Sequence, residues 1–327
     1  MTALAMETLV TVFGGSGFLG RHVVRALARH GYRIRVAVRR PHLAGHLQPL
    51  GRVGQIHAVQ ANLRYPESVQ AAARDSDAII NLVGILFESG RQRFGAVHSE
   101  GAEAVARAAA SLQAELVHVS AIGADERSRS QYARTKALAE KRVLAAHPRA
   151  VILRPSILFG PEDSFFNRFA SIARFAPALP LIGGGRTLFQ PIFAGDVARA
   201  VIAAMEERAR PGAVYEIGGP ETRSFKELMQ FMLKCIGRRR LLLPIPFALA
   251  KFQASFLQLV PKPLLTVDQV ELLRRHNVVS EAARTEGRTL AALGIEPIAM
   301  ESVVPFYLAR FRRTGQFANQ HIAGGES

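Results

Sequence analysis

The strongest constraint on the fold is the regular alternation of short apolar segments with amphipathic helical segments through the first half of the chain. This alternation predicts consecutive strand–helix–strand units and therefore a parallel sheet covered by helices. The predicted strands are Leu9–Phe13, Arg33–Val38, Gln55–Val59, Ala78–Val83, Glu115–Val119 and Ala150–Leu153. The helices predicted between them are Phe18–His30, Glu67–Arg74, Val97–Leu112 and Gln131–His147. The pattern is typical of an α/β, doubly wound dinucleotide-binding fold.

The sequence pattern changes after Pro155: prolines and glycines become more frequent, and the alternation of strand and helix segments stops. We expect a Rossmann-type, NADP(H)-binding domain over residues 1–154 and a smaller, irregular C-terminal part over residues 155–327. In the second part the sequence predicts helices Gly195–Glu207 and Ser224–Ile236 and a strand Val214–Ile217. Residues 187–217 are expected to pack back on the first domain.

The composition provides a large core but no cysteine framework. The 327 residues, 49% of them hydrophobic, suffice for one large domain or two closely joined ones. The single cysteine, Cys235, excludes an internal disulfide and a metal site built from several cysteines. His98, His118 and His147 lack the spacing that collects a metal ion, so no metal site is expected. No apolar run approaches the roughly 20 residues that a spanning helix requires.

The charge balance predicts an anionic ligand or partner. The 42 lysines and arginines outnumber the 26 acidic residues and give a formal net charge of +16. Nucleotide phosphates, an acidic subunit and lipid headgroups are the candidates. Nucleic acid is disfavoured, because the chain has no tryptophan, no zinc-finger spacing and no basic stretch interleaved with aromatic residues. The alternative is that an arginine-rich composition simply scatters charge over the surface.

A glycine-rich loop joins the first predicted strand to the first predicted helix. In order, the loop and the start of the helix are Gly14, Gly15, Ser16, Gly17, Phe18, Leu19 and Gly20. In this GxxGxxG spacing, the first glycine permits a tight turn and the second lets a pyrophosphate approach the N–H groups at the helix N-terminus. The third lets helix and strand pack closely. The segment therefore predicts dinucleotide binding.

Two arginines follow the second predicted strand, where NAD-binding proteins usually carry an acidic residue for the ribose hydroxyls. A carboxylate there would repel a 2′-phosphate, whereas Arg39 and Arg40 can bind one through charge-assisted hydrogen bonds of roughly 1.5–3 kcal/mol each. NADPH is therefore predicted in preference to NADH. The alternative is that one or both arginines point to solvent.

The segments after the third and fourth strands are expected to complete the cofactor site. Asn62 and Leu63 are predicted beside the adenine. The residues predicted beside the ribose are Asn81, Leu82, Val83 and Gly84.

Tyr132 and Lys136 form a YxxxK pair on one face of a predicted helix. A lysine cation lowers the pKa of a nearby tyrosine, so the phenol can exchange a proton with a substrate while a hydride moves to or from nicotinamide. These two residues are the predicted acid–base pair. The alternative is that Lys136 only hydrogen-bonds the nicotinamide ribose and Tyr132 is a packing residue.

The segment Arg238–Leu265 combines three arginines with leucine, phenylalanine and isoleucine, interrupted by prolines. One interpretation is an element that docks on a membrane surface or a partner, with its apolar side buried and its basic residues at headgroup level. The other is an ordinary buried helix with a basic entry loop.

At this point the motifs resemble a known family. The segments GGSGFLG, NLVG, YARTK, LRPSILFGP and QPIFAGDVARA resemble, in order, those of extended or atypical short-chain dehydrogenases/reductases over roughly residues 8–220. The longer runs HVSAIGADERSRSQYARTKALAEKRV and RPSILFGPEDSFFNRFA are most similar to the dehydrogenase-like accessory subunit of respiratory complex I and its bacterial relatives. The stretch PIPFALAKF…PKPLLTVDQVELL extends this similarity into the C-terminal part.

The resemblance implies a tightly held NADPH that has a structural role at the membrane-facing junction near the quinone region of complex I. The implied contacts are Gly14, Gly17, Gly20 and Arg39 on the phosphates, Tyr132 and Lys136 beside the nicotinamide ribose, and Pro155 near the ring. Two departures argue against turnover. Active members usually carry a catalytic hydroxyl just after the fifth strand, where this chain has Ala121, with Ser120 one residue early. Ile157 replaces the asparagine that is usual in sugar-nucleotide epimerases.

The sequence therefore predicts an NADPH-binding, short-chain-dehydrogenase-like protein associated with respiratory complex I or its assembly. The alternative is an active NADPH-dependent oxidoreductase or epimerase for an apolar or quinone-like substrate, with Tyr132 and Lys136, and Ser120 as a third candidate, at its active site. The N-terminal sequence shows no pattern of a signal or transit peptide. We expect a cytoplasmic protein, at the inner face of the respiratory membrane.

Overall fold

The computed structural model describes residues 7–260 and 263–313. The strands are β1 (Leu9–Phe13), β2 (Arg33–Val38), β3 (Ile56–Gln60), β4 (Ala78–Asn81), β5 (Glu115–Val119), β6 (Val151–Pro155), β7 (Leu158–Phe159), β8 (Ala178–Ile182), β9 (Leu188–Phe189), β10 (Ile192–Phe193), β11 (Val214–Ile217), β12 (Arg223–Ser224) and β13 (Leu241–Ile245).

The α-helices of the described residues are α1 (Phe18–Arg29), α2 (Pro66–Ala73), α3 (Gly101–Leu112), α4 (Gln131–Ala146), α5 (Phe166–Phe175), α6 (Ala194–Met205), α7 (Phe225–Cys235), α8 (Phe247–Leu257), α9 (Val267–Leu272), α10 (Glu281–Thr285) and α11 (Val304–Leu308). Short 3-10 segments occupy Pro41–Leu50, Gly183–Gly185, Ala291–Leu293, Met300–Ser302 and Ala309–Phe311, and a π-helix occupies Gly95–Glu100.

Seven of the described strands form one parallel sheet in the order β11-β6-β5-β4-β1-β2-β3. The strand order reverses between β1 and β4, so the connections after these two strands leave in opposite directions. Such a reversal opens a crevice at the carboxyl ends of the strands, where dinucleotides bind. The doubly wound, Rossmann-type fold predicted from the sequence is confirmed.

Successive strand residues supply the cores on the two faces of the sheet, because side chains alternate along a strand. Val10 and Val12 of β1 belong to a core shared with α1 and α6. Phe13 of β1 and Ile79 of β4 belong to the opposite core, which is shared with α3 and α4. The helices therefore cover both faces and leave the carboxyl edge open for a site.

The chain after β6 contributes to this sheet and also builds a core of its own. β11 pairs with β6, with Val214 opposite Ile152, and thus forms one edge of the sheet. A separate core around Phe166, Met232 and Val304 holds α5, α7 and α11 together. Three two-stranded sheets, β7–β10, β8–β13 and β9–β12, connect these elements.

Two predicted boundaries shift for identifiable reasons. β4 ends at Asn81 instead of Val83, because the Asn81 side-chain oxygen accepts a hydrogen bond from the Val83 backbone N–H at 3.1 Å and turns the chain. β6 extends to Pro155 instead of Leu153, because β11 continues to pair with it as far as Ile217. Both changes affect the carboxyl edge.

Candidate functional site

The glycine loop lies at the carboxyl edge of β1, in the crevice where the strand order reverses. Gly14 has φ +81°, a conformation that favours glycine, and a Cβ there would lie 3.1 Å from the Val83 side chain. A Cβ on Gly20 would lie 2.5 Å from backbone atoms of Gly14 and Gly15. These two glycines therefore allow the turn and the close contact between α1 and the loop.

The N-terminus of α1 is free of side-chain caps. Gly17 is the N-cap residue, no side chain hydrogen-bonds to the cap, and the first turn contains no acidic residue. The first N–H groups of a helix lack intrahelical partners and carry partial positive charge. This N-terminus can therefore bind a pyrophosphate.

The other residues predicted in the loop and the first turn of α1 are only partly accessible. Ser16 is half-buried in the loop, and Leu19 is buried. The Phe18 ring lies 3.1 Å from the position of a Cβ on Gly160.

The end of the crevice where the sequence predicts the adenosine, which we call the adenosine end, is basic and exposed. Arg39 and Arg40 are exposed after β2, and neither guanidinium has a partner among the described residues. The Ala61 N–H donates to Val38 O at 2.9 Å, which brings the end of β3 beside the end of β2. Asn62 lies in the turn that follows, where its side-chain oxygen accepts from the Arg64 N–H at 3.3 Å. Two arginines are thus free to bind an anion.

Three residues predicted to contact the cofactor also have structural contacts. Leu63 is buried, and its Cβ lies 2.8 Å from the position of a Cβ on Gly101. The Leu82 N–H donates to Phe13 O at 3.0 Å, and Val83 covers the glycine turn at Gly14. Their side chains pack in the protein, so a contact with a cofactor would involve their backbone.

Lys136 and Ser120, each 4% exposed, lie buried at the end of the crevice where the sequence predicts the nicotinamide, which we call the nicotinamide end. The Lys136 Nζ donates to Val119 O at 3.1 Å and lies 3.5 Å from the position of a Cβ on Gly84. Ser120 Oγ is buried and has no hydrogen-bond partner among residues 7–260 and 263–313. Pro155 is buried at the end of the neighbouring strand β6. The fold therefore brings these predicted residues to one edge, although they are distant in sequence.

Tyr132 lies half-buried in an aromatic cluster. Its ring packs edge-on against those of Phe94 and His98, with centroid distances of 6.0 and 5.2 Å. Burial raises the pKa of Tyr132 to about 12, and the nearby Asp268 carboxylate adds to this rise. The expected lowering of the Tyr132 pKa by Lys136 is therefore wrong, because desolvation of the phenolate and an acidic neighbour dominate. Burial lowers the pKa of Lys136 itself to about 8.

Two buried histidines flank Lys136, and the sequence did not reveal their role. The Ile85 N–H donates to His98 Nε2 at 3.0 Å, so the His98 proton is on Nδ1, which lies 3.1 Å from Thr135 Oγ1. His118 Nδ1 lies 3.2 Å from the Asn81 amide. Burial, assisted by Lys136, lowers the pKa of His98 to about 2 and that of His118 to about 3. Both side chains are neutral; His98 joins the loop after β4 to α4, and His118 joins β5 to the end of β4.

The residues of the crevice fit a nicotinamide dinucleotide. Ser120 Oγ and His118 Nε2 are buried polar atoms without hydrogen-bond partners in the part of the chain that the structure describes. Buried polar groups are normally hydrogen-bonded, so atoms of this kind indicate a place for a polar ligand. The glycine loop, the uncapped α1 N-terminus and the free arginines match the phosphates of such a ligand. When bound, it supplies hydride chemistry, while Lys136 and Tyr132 can hydrogen-bond its ribose or a substrate.

The C-terminal part contains a helix with an unusual distribution of side chains. On α8, Ala250 and Ala254 are 1% and 0% exposed, whereas Phe252 and Phe256 are 63% and 59% exposed. Large apolar side chains are normally the buried ones, so an exposed cluster marks an interaction surface. The interpretation of Arg238–Leu265 as an ordinary buried helix is therefore wrong for α8. Residues 261–262 of this segment lie outside the described residues.

The α8 surface comprises the apolar residues Leu249, Phe252, Phe256, Leu257, Leu259, Val260 and Leu264, together with Leu241 and Leu243 of β13, all of which are exposed. None of the described helices is long and apolar enough to cross a membrane.

The three arginines before β13 are not equivalent. The Arg238 guanidinium donates to Phe311 O at 3.3 Å, and that of Arg240 donates to Ala173 O at 2.9 Å. Arg239 is exposed. Arg238 and Arg240 therefore bind backbone carbonyls within the protein. Arg239 is the member of the three that can contact a membrane or a partner.

The comparisons with known proteins agree with this geometry. The model of the NAD dependent epimerase/dehydratase family matches residues 10–218. NADH dehydrogenase (ubiquinone) 1 alpha subcomplex subunit 9 of Arabidopsis thaliana is 32% identical over 320 residues, which cover 94% of this chain and 79% of the relative. A ceramide reductase of Caulobacter vibrioides is 36% identical over 174 residues, which cover 53% of this chain and 54% of that protein.

Solved structures agree on the fold. The dTDP-glucose 4,6-dehydratase DesIV of Streptomyces venezuelae, solved with NAD and TYD, superposes with a TM-score of 0.69 at 20% identity, covering 94% of this chain and 98% of that chain. At this identity the likeness bears on the fold alone. The match of the family model covers more than half of the chain, and the relative from Arabidopsis covers most of it. The chain therefore belongs to the NAD dependent epimerase/dehydratase family.

Proposed function

We propose that this chain binds NADPH as a structural cofactor and associates with respiratory complex I or its assembly. The observation that carries the proposal is the similarity to a complex I subunit over 94% of this chain and 79% of the relative. The similarity includes the C-terminal part, which the family model, ending at residue 218, does not reach. Similarity over both parts supports an association of the kind that the relative's name describes.

The choice of NADPH over NADH rests on the end of β2. Arg39 and Arg40 stand where a carboxylate would bind the ribose hydroxyls of NADH, and both are exposed without partners among the described residues. Guanidinium groups bind phosphate by charge-assisted, bidentate hydrogen bonds. We expect the 2′-phosphate of NADPH to be bound there.

The structural role rests on the nicotinamide end. Ala121 stands where active relatives carry a hydroxyl, and Ser120 is buried. A Tyr132 pKa of about 12 disfavours exchange of the phenolic proton at neutral pH. A ligand that binds only the folded state adds about 2.7 kcal/mol to the stability at a hundredfold excess over its Kd. Stabilisation alone is therefore a sufficient role for NADPH.

The protein as purified tests this proposal. We expect it to carry NADP(H), to leave NADPH unoxidised in the presence of quinones or carbonyl compounds, and to co-purify with complex I subunits from native membranes. Protein that carries no nicotinamide nucleotide, or that purifies apart from these subunits, would contradict the proposal.

The second candidate function is an NADPH-dependent reductase for an apolar substrate. The 36% identity with a ceramide reductase over about half of each chain favours it, as does the YxxxK pair at Tyr132 and Lys136. In this case NADPH is consumed steadily when the substrate is present. Turnover that disappears in Tyr132→Phe would establish the second function and exclude a purely structural cofactor.

We further propose that the α8 surface contacts an anionic membrane, which would place the protein at the inner face of the respiratory membrane. Exposed phenylalanine and leucine side chains, together with Arg239 and a net charge of +16, are suited to an interface that has an apolar interior and acidic headgroups. Lys251 also lies on α8, where it is half-exposed and pairs with Glu271 at 2.9 Å.

Vesicle binding tests the membrane contact. The double variant Phe252→Ser, Phe256→Ser removes two exposed rings, and we expect more than about tenfold weaker binding to vesicles that contain phosphatidylglycerol. The control is Leu43→Ser, which alters a side chain of similar exposure, 60%, in the 3-10 segment after β2. Binding that both variants retain, or that persists in high salt, would contradict this docking mode.

A further inference from the structure

A segment of the C-terminal part contacts the chain between β5 and α4 at three points. Asp268 in α9 accepts hydrogen bonds from Ser130 Oγ at 2.8 Å and from the Gln131 N–H at 2.5 Å. Arg275 forms an ion pair with Asp125. Asn277 Nδ2 donates to Ile122 O at 3.1 Å. The loop that leads from Ser120 to Tyr132 is thus held by side chains more than 130 positions later in the chain.

The Asp268 carboxylate lies directly at the N-terminus of α4. Its Oδ2 accepts from both Ser130 Oγ and the Tyr132 N–H, the latter at 3.3 Å. Ser130 is the N-cap residue, and its Oγ also accepts from the Ala133 N–H at 3.2 Å. The first turn of α4 contains no acidic residue of its own. Asp268 therefore supplies the negative charge that favours this helix terminus.

A separate contact anchors the middle of α4. Glu140, which is buried, accepts from the Arg154 Nε at 2.9 Å and pairs with the Arg154 Nη2 at 2.6 Å. The helix as a whole is therefore held to β6 without Asp268. What Asp268 fixes is the first turn, and Tyr132 is in that turn.

We propose that Asp268 is a positioning residue for Tyr132 and Lys136 at the nicotinamide end of the crevice. Lys136 is one turn after Tyr132 on the same helix, between the first turn that Asp268 contacts and the anchor at Glu140, and its Nζ donates to Val119 O at the end of β5. The ion pair Lys251–Glu271 in turn joins α9 to α8. The proposal rests on the function proposed above, because Tyr132 and Lys136 are positioned relative to the nicotinamide half of a bound NADPH.

Ligands of two sizes test the proposal. NADPH occupies both ends of the crevice, whereas 2′,5′-ADP occupies the adenosine end alone. In Asp268→Ala we expect calorimetry to give about tenfold weaker NADPH binding, the effect of losing one charge-assisted contact, and 2′,5′-ADP binding changed less than about twofold. We also expect the fluorescence of bound NADPH to change at saturation, because the nicotinamide is held differently.

The matched control is Glu227→Ala, which removes the carboxylate of the capping box at the start of α7, in the separate C-terminal core. It should leave both affinities and the NADPH fluorescence unchanged. Asp268→Asn keeps an acceptor oxygen without the charge and serves if the alanine variant does not fold. An equal loss for both ligands, or no loss for either, overturns the inference while NADPH binding by the unaltered protein stands. If the unaltered protein fails to bind NADPH, the proposed function is contradicted, and the inference with it.

Discussion

The two ends of the crevice are built in different ways. The adenosine end comes from one stretch near the N-terminus, from Gly14 to Asn62, in which each loop directly follows its strand. The end where we propose that the nicotinamide binds is assembled from Gly84, Ser120, Tyr132, Lys136 and Pro155 and is held by residues up to Asn277. One end depends on local sequence, and the other depends on the whole fold.

The two ends also differ in their electrostatics. At the adenosine end, exposed guanidinium groups without partners among the described residues keep their charge and can bind an anion. At the other end, burial lowers the pKa of His98 and His118 to about 2 and 3 and raises that of Tyr132 to about 12, so these three side chains are neutral at pH 7, whereas Lys136, with a pKa lowered to about 8, still carries its charge. The first end is therefore suited to binding by charge, and the second to binding by hydrogen bonds and shape.

The largest expected effect is at the glycine loop. In Gly20→Ala the new Cβ would meet the backbone of Gly14 and Gly15 at 2.5 Å, and a backbone neighbour cannot yield as a side chain can. We expect NADPH affinity to fall more than about a hundredfold and the free energy of unfolding to fall by about 1–3 kcal/mol, as measured by calorimetry and denaturant titration.

Gly45→Ala is the control for this variant. Gly45 lies in the nearby 3-10 segment, and a Cβ there has no neighbour within 4 Å. Both quantities should stay as in the unaltered protein. Normal NADPH binding by Gly20→Ala would mean that the phosphates are bound elsewhere.

The second largest effect is expected at the two arginines after β2, where NADPH and NADH should respond differently. We expect the double variant Arg39→Ala, Arg40→Ala to weaken NADPH binding about 10–100-fold, which corresponds to the loss of about 1.4–2.8 kcal/mol, the strength of one charge-assisted hydrogen bond to the 2′-phosphate. NADH, which has no 2′-phosphate, should change less than about threefold. The measurement is calorimetry with both nucleotides.

Arg33→Ala is the matched control, because Arg33 is an exposed arginine at the opposite end of the same strand, β2. It should leave both affinities unchanged. Parallel losses for NADPH and NADH in the double variant would show that these arginines do not recognise the phosphate.

The third effect is a dependence of stability on pH that arises at the nicotinamide end. The pKa values of His98 and His118 in the folded protein are about 2 and about 3, whereas in the unfolded chain both groups take up protons near 6.5. Because the unfolded state then binds more protons, stability is lost as the pH falls below about 6.5, by at most about 1.4 kcal/mol per pH unit for each histidine.

Denaturant titrations between about pH 4.5 and 7.5 measure this slope. His98→Gln should reduce it, and His57→Gln, which changes an exposed histidine in β3, should not. An unchanged slope in His98→Gln would show that His98 is protonated in the folded protein.

The smallest effect is expected for Tyr132→Phe. The Tyr132 hydroxyl has no hydrogen-bond partner among the described residues, and its ring contacts with Phe94 and His98 are retained by phenylalanine. We expect NADPH affinity to change less than about threefold and stability by less than about 1 kcal/mol. A loss of affinity above tenfold would instead indicate a direct bond from the phenol to the cofactor.

The sequence signals for the adenosine end are local. A strand, a glycine turn and a helix within 20 residues indicate both the fold and the place of the phosphates. The positions of Arg39 and Asn62 follow from the ends of the next two strands in the same way. None of these inferences requires knowledge of which distant residues meet.

At the nicotinamide end, the properties of the residues depend on contacts that the sequence does not reveal. The YxxxK spacing places Tyr132 and Lys136 on one helix face, but the sign of the Tyr132 pKa shift depends on burial and on Asp268, 136 positions later. The role of His98 likewise depends on a hydrogen bond from the Ile85 N–H to the His98 side chain, which lies within a π-helix. Composition suggested a basic surface at Arg238–Arg240, yet two of these arginines bind backbone carbonyls.

A calorimetric comparison of NADPH and NADH on the unaltered protein tests the central claim most directly. The account predicts that NADPH binds at least about tenfold more tightly, because Arg39 and Arg40 gain a partner only in its 2′-phosphate. Equal affinity for the two nucleotides, or binding of neither, would contradict it.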